Sequence, residues 1–190
     1  MKFEPVVAAV WVGQEFIDPY IGDRPKRRGF IGTERGGIAK RLPSVHKANR
    51  PGIDHWPVDP AWLVTARIEP APGRTVDVPD VFGSTDAVPS LGDLAFEVDG
   101  VTHRLQALSG GDDGTLWLIF GDATNGHETY GGGRYLYTDA PDSAGAVTVD
   151  FNRAYNPPCV FTPYATCSLP WPANRLPIRV EAGERRFDTR

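Results

Sequence analysis

The sequence predicts a mainly β protein: an antiparallel sandwich or partly open barrel of about eight strands, with a long Pro-rich C-terminal wrap. Three observations lead to this class. The 190 residues include 21 Gly and 18 Pro, a content typical of short strands joined by turns. Several short stretches alternate apolar and polar residues at a period of two. In contrast, no window longer than about ten residues has a convincing helical period.

Each predicted strand is an alternating or apolar run bounded by turn residues. In chain order the strands are Trp62–Ile68, Thr75–Val78, Leu94–Val98, Val101–Leu105, Thr115–Phe120, Arg134–Tyr137, Val147–Phe151 and Pro177–Val180. The run Thr115–Phe120 is the most apolar, so we expect it to be central in the sheet. Asp99-Gly100 separates two alternating runs and predicts a two-residue hairpin turn with positive φ at both positions.

Composition and charge exclude several classes of protein. Eleven per cent aromatic residues supply enough apolar area to argue against intrinsic disorder. No stretch approaches the ~20 apolar residues that span a bilayer, and Met1 to Val12 lacks the pattern of a signal peptide. We therefore expect a soluble cytoplasmic protein that does not bind membranes. The basic run Arg24–Arg28 has no nucleic-acid-binding motif around it, so we interpret it as a solvated loop and expect no nucleic-acid partner.

The chain divides at about residue 55. Residues 1–55 form a basic arm rich in Gly and Pro, and residues 56–190 contain the predicted β-rich domain. Within that domain the stretch from Asn152 to Pro177 has little periodicity but many Pro and aromatic residues. We expect it to be ordered and to wrap across the sheet.

The first candidate site is the polar, Gly-rich stretch from Gly121 to Arg134, between two predicted strands. Glycines allow a ligand to approach the backbone closely, and Arg134 could hold an anionic group through two parallel hydrogen bonds. Asp122, Glu128 and Tyr130 are candidate ligand-binding or proton-transferring groups. The structural alternative is that Arg134 pairs with a nearby acid to stabilise the loop.

The second candidate site follows the strand that ends near Asp150. Its polar or reactive residues are Asp150, Asn152, Tyr155, Asn156, Cys159 and Cys167. The cysteines are eight positions apart, which fits neither a zinc knuckle nor a C-x-x-C redox motif. They leave open a mixed Cys/His metal site, a disulfide worth ~2.5 kcal/mol, two buried thiols or a nucleophile with an unidentified base. We expect reduced, metal-free cysteines and no cofactor.

These two stretches resemble a bacterial family known as domain of unknown function 1684. The resemblance covers roughly residues 55–184 and includes Trp56–Pro60, Val78–Gly83, Glu128–Tyr130, Gly133–Leu136, Asp150–Asn152, Tyr155–Cys159, Cys167–Pro170, Asn174–Leu176 and Ala182–Glu184. It implies a domain boundary near residue 55 and draws attention to polar loop residues, but it implies no activity.

The leading functional hypothesis is a protein that binds a small anionic or carbonyl-containing molecule, with acid/base catalysis by Glu128, Asp150 or Tyr130. It predicts that Arg134, Glu128, Asp150 and Tyr155 converge in space. The alternative is a structural or protein-interaction domain in which the same residues fix the wrap to the sheet. A third hypothesis is a metal site formed by Cys159, Cys167 and His127.

Overall fold

The chain folds into a mainly β structure, which confirms the predicted class. The computed structural model describes residues 11–12, 15–16, 53–161 and 165–187. Two short strands, β1 (Trp11–Val12) and β2 (Glu15–Phe16), pair antiparallel with each other. The predicted arm, residues 1–55, otherwise lies almost entirely outside the described residues and remains a prediction.

Seven further strands form one curled antiparallel sheet with the shape of a half-barrel. They are β3 (Leu63–Pro70), β4 (Thr75–Pro79), β5 (Thr85–Val98), β6 (Val101–Ser109), β7 (Leu116–Phe120), β8 (Arg134–Thr138) and β9 (Ala146–Asp150). The order across the sheet is β8-β7-β6-β5-β3-β9, and β4 pairs with β5 off this path. Single 3₁₀ turns lie at Pro60–Trp62, Phe151–Arg153, Pro158–Val160 and Pro172–Asn174.

Strand β5 joins the two parts of the sheet. Its first part pairs with β4, and its last part pairs with both β6 and β3. The register shifts between Ser90 and Gly92, where Gly92 has a φ of +151° and a Cβ atom would lie 2.4 Å from the Glu69 carbonyl oxygen. Glycine therefore permits the close approach of β3 at this bend. The sequence analysis predicted only Leu94–Val98, about the last third of β5, and missed the part that contains Pro89 and Gly92.

The hairpin between β5 and β6 agrees with its prediction. Asp99 and Gly100 have φ values of 51° and 76°, and Val98 pairs with Val101 across the turn. This conformation matches the right-handed twist of the two strands.

Strand β7 is buried on both faces, although it lies second from the edge of the sheet and not at its centre as predicted. Leu118 and Phe120 belong to the larger core, with residues of β3, β5, β6 and β9. Ile119 and the partly buried Trp117 pack in a second cluster with Val76 of β4. The apolar run of β7 thus reflects cover on both faces by other parts of the fold, and not a central position.

The C-terminal segment wraps across the end of β7, as predicted, but Pro177–Val180 is not a strand. The segment is fixed by two main-chain hydrogen bonds with Gly121, from Gly121 N–H to the Asn174 carbonyl and from Leu176 N–H to the Gly121 carbonyl, both 2.8 Å. Further along the segment, Val180 and Ala182 are fully buried in the larger core. Their alternation with polar neighbours resembles a strand in the sequence, but it arises from packing against the sheet.

Candidate functional site

The Gly-rich loop between β7 and β8 is held by hydrogen bonds among its own side chains. Asp122 Oδ1 accepts hydrogen bonds from the Thr124 N–H (2.8 Å) and the Thr124 hydroxyl (2.6 Å). The Thr124 hydroxyl also contacts the Thr129 hydroxyl at 2.8 Å. Asn125 Oδ1 accepts from the Asp122 N–H at 2.7 Å. The polar groups of this loop therefore mainly satisfy one another.

Arg134 begins β8 and its side chain is completely buried. One terminal nitrogen donates to Asp122 Oδ2 at 2.9 Å and to the Val180 carbonyl at 2.8 Å. The other donates to the Ala182 carbonyl and, at 3.3 Å, to the Glu184 carbonyl. Burial lowers the pKa of Arg134, and the charge of Asp122 opposes that shift. Both terminal nitrogens are engaged within the protein, which favours the structural interpretation of this residue.

Asn156 joins the same buried region through Glu184. The Asn156 N–H donates to Glu184 Oε2 at 2.7 Å, and its side-chain amide donates to the Arg185 carbonyl at 2.9 Å. Burial raises the pKa of Glu184, while the Asn156 hydrogen bond opposes the shift. Sequence reasoning about sites missed Glu184, although it is among the residues that carry the family resemblance.

Tyr130, Cys159 and Cys167 form a second cluster, referred to below as the thiol cluster. Cys159 lies in the 3₁₀ turn Pro158–Val160, and its Sγ is 3.6 Å from Tyr130 Oη. The Cys159 N–H donates to Cys167 Sγ at 3.0 Å. Cys159 is partly exposed, whereas Cys167 is only 2% exposed. At Gly132 a Cβ atom would lie 2.4 Å from the Tyr130 ring, so glycine makes room for this ring.

The electrostatics of the thiol cluster are asymmetric. Hydrogen bonds from Cys167 and Tyr130 lower the pKa of Cys159 to about 7, against the opposing effect of burial. Burial and the adjacent Cys159 raise the pKa of Tyr130 to about 12. The contact with Cys159, together with burial, also raises the pKa of Cys167. Near neutral pH Cys159 is therefore a thiolate for a substantial fraction of the time, with two protonated groups beside it.

Glu128 belongs to the same Gly-rich loop, but its carboxylate pairs with an arginine other than Arg134. It forms an ion pair of 2.7 Å with Arg179 at the protein surface, and this contact lowers the pKa of Glu128. Tyr155 pairs its backbone with Tyr135, next to Arg134, and the two rings meet edge to face with centroids 5.8 Å apart. The acceptors given above for the Arg134 guanidinium are Asp122 and three backbone carbonyls.

Asp150 and Asn152 organise the turn after β9. Asp150 Oδ1 accepts from the Asn152 N–H at 3.1 Å. The Asn152 amide exchanges two hydrogen bonds of 2.9 Å with the backbone of Asp59. The hydrogen bonds of Arg134, Glu128 and Asp150 thus lead to different partners, and the convergence of these residues with Tyr155 remains a prediction.

Within 53–161 and 165–187, no three His, Cys, Asp or Glu side chains are grouped so that they could hold a metal ion. Over the same ranges, none of the helices has the length and apolar character required to cross a bilayer.

Comparisons with known proteins bear on the identity of this fold. No curated protein matches the chain. The solution NMR structure of an uncharacterized protein from gene locus rrnAC0354 of Haloarcula marismortui is similar, with a TM-score of 0.57 and 30% sequence identity. The match covers 76% of this chain and 81% of that one. The family model described as "Protein of unknown function (DUF1684)" matches residues 49–185. The chain therefore belongs to the DUF1684 family.

Proposed function

We propose that the protein binds a small carbonyl-containing molecule at the thiol cluster, with Cys159 as nucleophile and Tyr130 as proton donor. The observation that carries this proposal is the contact between a partly exposed thiol and a phenol at 3.6 Å. An activated nucleophile beside a proton donor is the arrangement that reversible addition to a carbonyl requires. The pKa of Cys159, lowered to about 7, supports a substantial thiolate fraction at neutral pH.

The chemistry is an addition. The Cys159 thiolate attacks the carbonyl carbon and forms a C–S bond, while the π electron pair of the carbonyl moves to its oxygen. That oxygen takes the proton of the Tyr130 hydroxyl, and water returns a proton to the phenolate. The product is a hemithioacetal, and the reverse steps release the ligand.

The anionic class of ligand has less support. It depended on Arg134, whose terminal nitrogens donate to Asp122 and to three backbone carbonyls. We propose that Asp122, Arg134, Asn152 and Asn156 act mainly in stabilising the fold, because their observed hydrogen bonds are made within the protein. The observed partners of the Glu128 and Asp150 carboxylates are Arg179 and Asn152, so we assign the proposed acid/base role to Tyr130.

Acetaldehyde labelled with ¹³C at its carbonyl carbon is a suitable probe, observed by NMR with the reduced full chain at neutral pH. We expect one hemithioacetal signal, with binding about fivefold tighter than to N-acetylcysteine, since one added hydrogen bond contributes about 1 kcal/mol. The Cys159→Ser variant should lose the signal and Tyr130→Phe should bind like N-acetylcysteine. Wild-type affinity equal to that of N-acetylcysteine, or an unchanged signal in Cys159→Ser, would refute the proposal.

A structural role for the buried network is the second candidate. The ion pair between Asp122 and Arg134 joins the Gly-rich loop to the C-terminal wrap, and both side chains have no solvent exposure. Hydrogen bonds within this network explain why the first candidate site contains so many polar residues, and no ligand is needed for that explanation. The two proposals concern different residues and are tested separately.

A further inference from the structure

The carbonyl addition uses Cys167 only as a neighbour that lowers the pKa of Cys159, yet the Cys167 sulfur lies directly beside that residue. The Cys159 N–H is 3.0 Å from Cys167 Sγ. Cys167 itself sits on a fixed part of the fold, because the Val81 N–H donates to its carbonyl at 3.0 Å. The Tyr135 hydroxyl donates to the next carbonyl, that of Ser168, at 2.7 Å. A partly exposed thiol on a 3₁₀ turn therefore lies beside a buried thiol that is anchored to the sheet.

We propose that the pair reduces low-molecular-weight disulfides by thiol–disulfide exchange, with Cys159 as the attacking thiol and Cys167 as the resolving thiol. The inference shares the reactive Cys159 with the proposed function, but it adds a role for Cys167 that carbonyl binding does not need.

The reaction proceeds in two displacements. The Cys159 thiolate attacks one sulfur of the disulfide RSSR, an S–S bond forms, and RS⁻ leaves with the electron pair and takes a proton from water. Cys167 then loses its proton to water and attacks Cys159 Sγ, which releases the second RS⁻. Two electrons pass from the two cysteines to RSSR, and the products are a Cys159–Cys167 disulfide and two RSH. An external dithiol restores the reduced pair by the reverse exchange.

The asymmetry of the two thiols assigns these roles. Attack requires a thiolate that dissolved disulfides can reach, and Cys159 is partly exposed, with the Tyr130 hydroxyl 3.6 Å from its sulfur. Cys167 is almost completely buried, so it reacts only with a sulfur brought to it by Cys159. Its fixed position favours the second displacement through proximity.

Oxidised glutathione is the probe for this inference. The reduced full chain is mixed with it at neutral pH, samples are quenched with acid, and intact mass is followed with time. Wild type should gain one glutathionyl group transiently and end with two hydrogens lost and no adduct. Peptide mapping should then show a Cys159–Cys167 disulfide. The Cys167→Ser variant should stop at the stable adduct, and Cys159→Ser should react at least tenfold more slowly than wild type.

The outcomes separate the two proposals. Cys167→Ser keeps the nucleophile and a hydroxyl donor, so it should still bind labelled acetaldehyde although exchange stops at the adduct. A stable adduct on the wild-type protein, or equal reactivity of the two cysteines, overturns the exchange proposal and leaves carbonyl binding intact. If Cys167→Ser does not fold, as judged by circular dichroism, the wild-type mass and peptide map alone decide the question.

Discussion

Replacement of Arg134 by Ala tests whether the buried network stabilises the fold. The substitution removes the cation paired with Asp122 and the donors to the Val180, Ala182 and Glu184 carbonyls. The Asp122 carboxylate then remains buried without its ion-pair partner, which is the costly outcome for a buried pair.

The magnitude follows from the burial of the two groups. Both side chains are 0% exposed, so solvent does not screen the interaction. Loss of one partner of such a pair costs about 3–5 kcal/mol, a large part of the 5–15 kcal/mol that stabilises a typical domain. For a protein of this size the change corresponds to a decrease in Tm of roughly 6–20 °C.

Thermal and urea unfolding of the full chain provide the assay. The control is Arg104→Ala, because Arg104 pairs with Glu69 at 3.0 Å with both side chains about half exposed. Surface pairs contribute little, so this variant should unfold close to wild type. The double variant with Asp122→Asn should lose less than the sum of the single variants, by about 0.5–3 kcal/mol. A Tm for Arg134→Ala within about 2 °C of wild type would show that the network is not structural.

Three further predictions concern other positions. The rate at which iodoacetamide alkylates Cys159 should rise with pH and show an inflection near pH 7. Tyr130→Phe should move this inflection to higher pH, because the thiolate loses a hydrogen-bond donor. An inflection at the same pH in both proteins would contradict the proposed contact. Burial raises the pKa of the Glu184 carboxyl in the folded protein. The stability that this group contributes is therefore complete below its unfolded pKa of about 4.3, and it is lost as the pH rises through the pKa of the folded state. As the pH rises through this window, the free energy of unfolding of wild type, measured by urea titration, should fall relative to that of Glu184→Gln. A difference between the two proteins that does not change with pH would refute the reasoning. Gly133→Ala should destabilise more than Gly126→Ala: both have a φ of +83°, but only at Gly133 would a Cβ atom meet a backbone oxygen, at 2.5 Å. Equal melting temperatures would rule out that clash.

Local sequence patterns predicted most of the strands because alternation directly reflects one buried and one less buried face. The Asp99-Gly100 hairpin was predictable because its backbone conformation depends on two adjacent residues. The order of the strands was not predictable from the sequence. A central strand and a strand covered on both faces, as β7 is by β4 and the wrap, have the same apolar pattern. The extent of β5 was also missed, because Pro89 and Gly92 are tolerated at a bend that depends on the partner strands.

The site residues illustrate the same limit. The sequence identified Tyr130 and Cys159 as polar or reactive groups, but their contact spans 29 positions and depends on how the wrap crosses the sheet. The pairing of Arg134 with Asp122 was foreseeable as an alternative, since both lie at the ends of one loop. The backbone carbonyls that complete its surroundings leave no signal in the sequence, because any residue supplies a carbonyl.

The distance along the chain between Arg134 and its carbonyl acceptors has a consequence for synthesis on the ribosome. Those acceptors lie 46, 48 and 50 positions after Arg134. At 5–20 residues per second, a nascent chain waits roughly 3–10 s between adding Arg134 and adding the last of them. During that interval Asp122 is already present, but the half-barrel cannot close around the guanidinium without burying N–H donors that lack their carbonyl acceptors. We therefore expect the emerging chain to remain open to proteases and chaperones until its C-terminal segment is available, and to complete its fold only after translation of that segment.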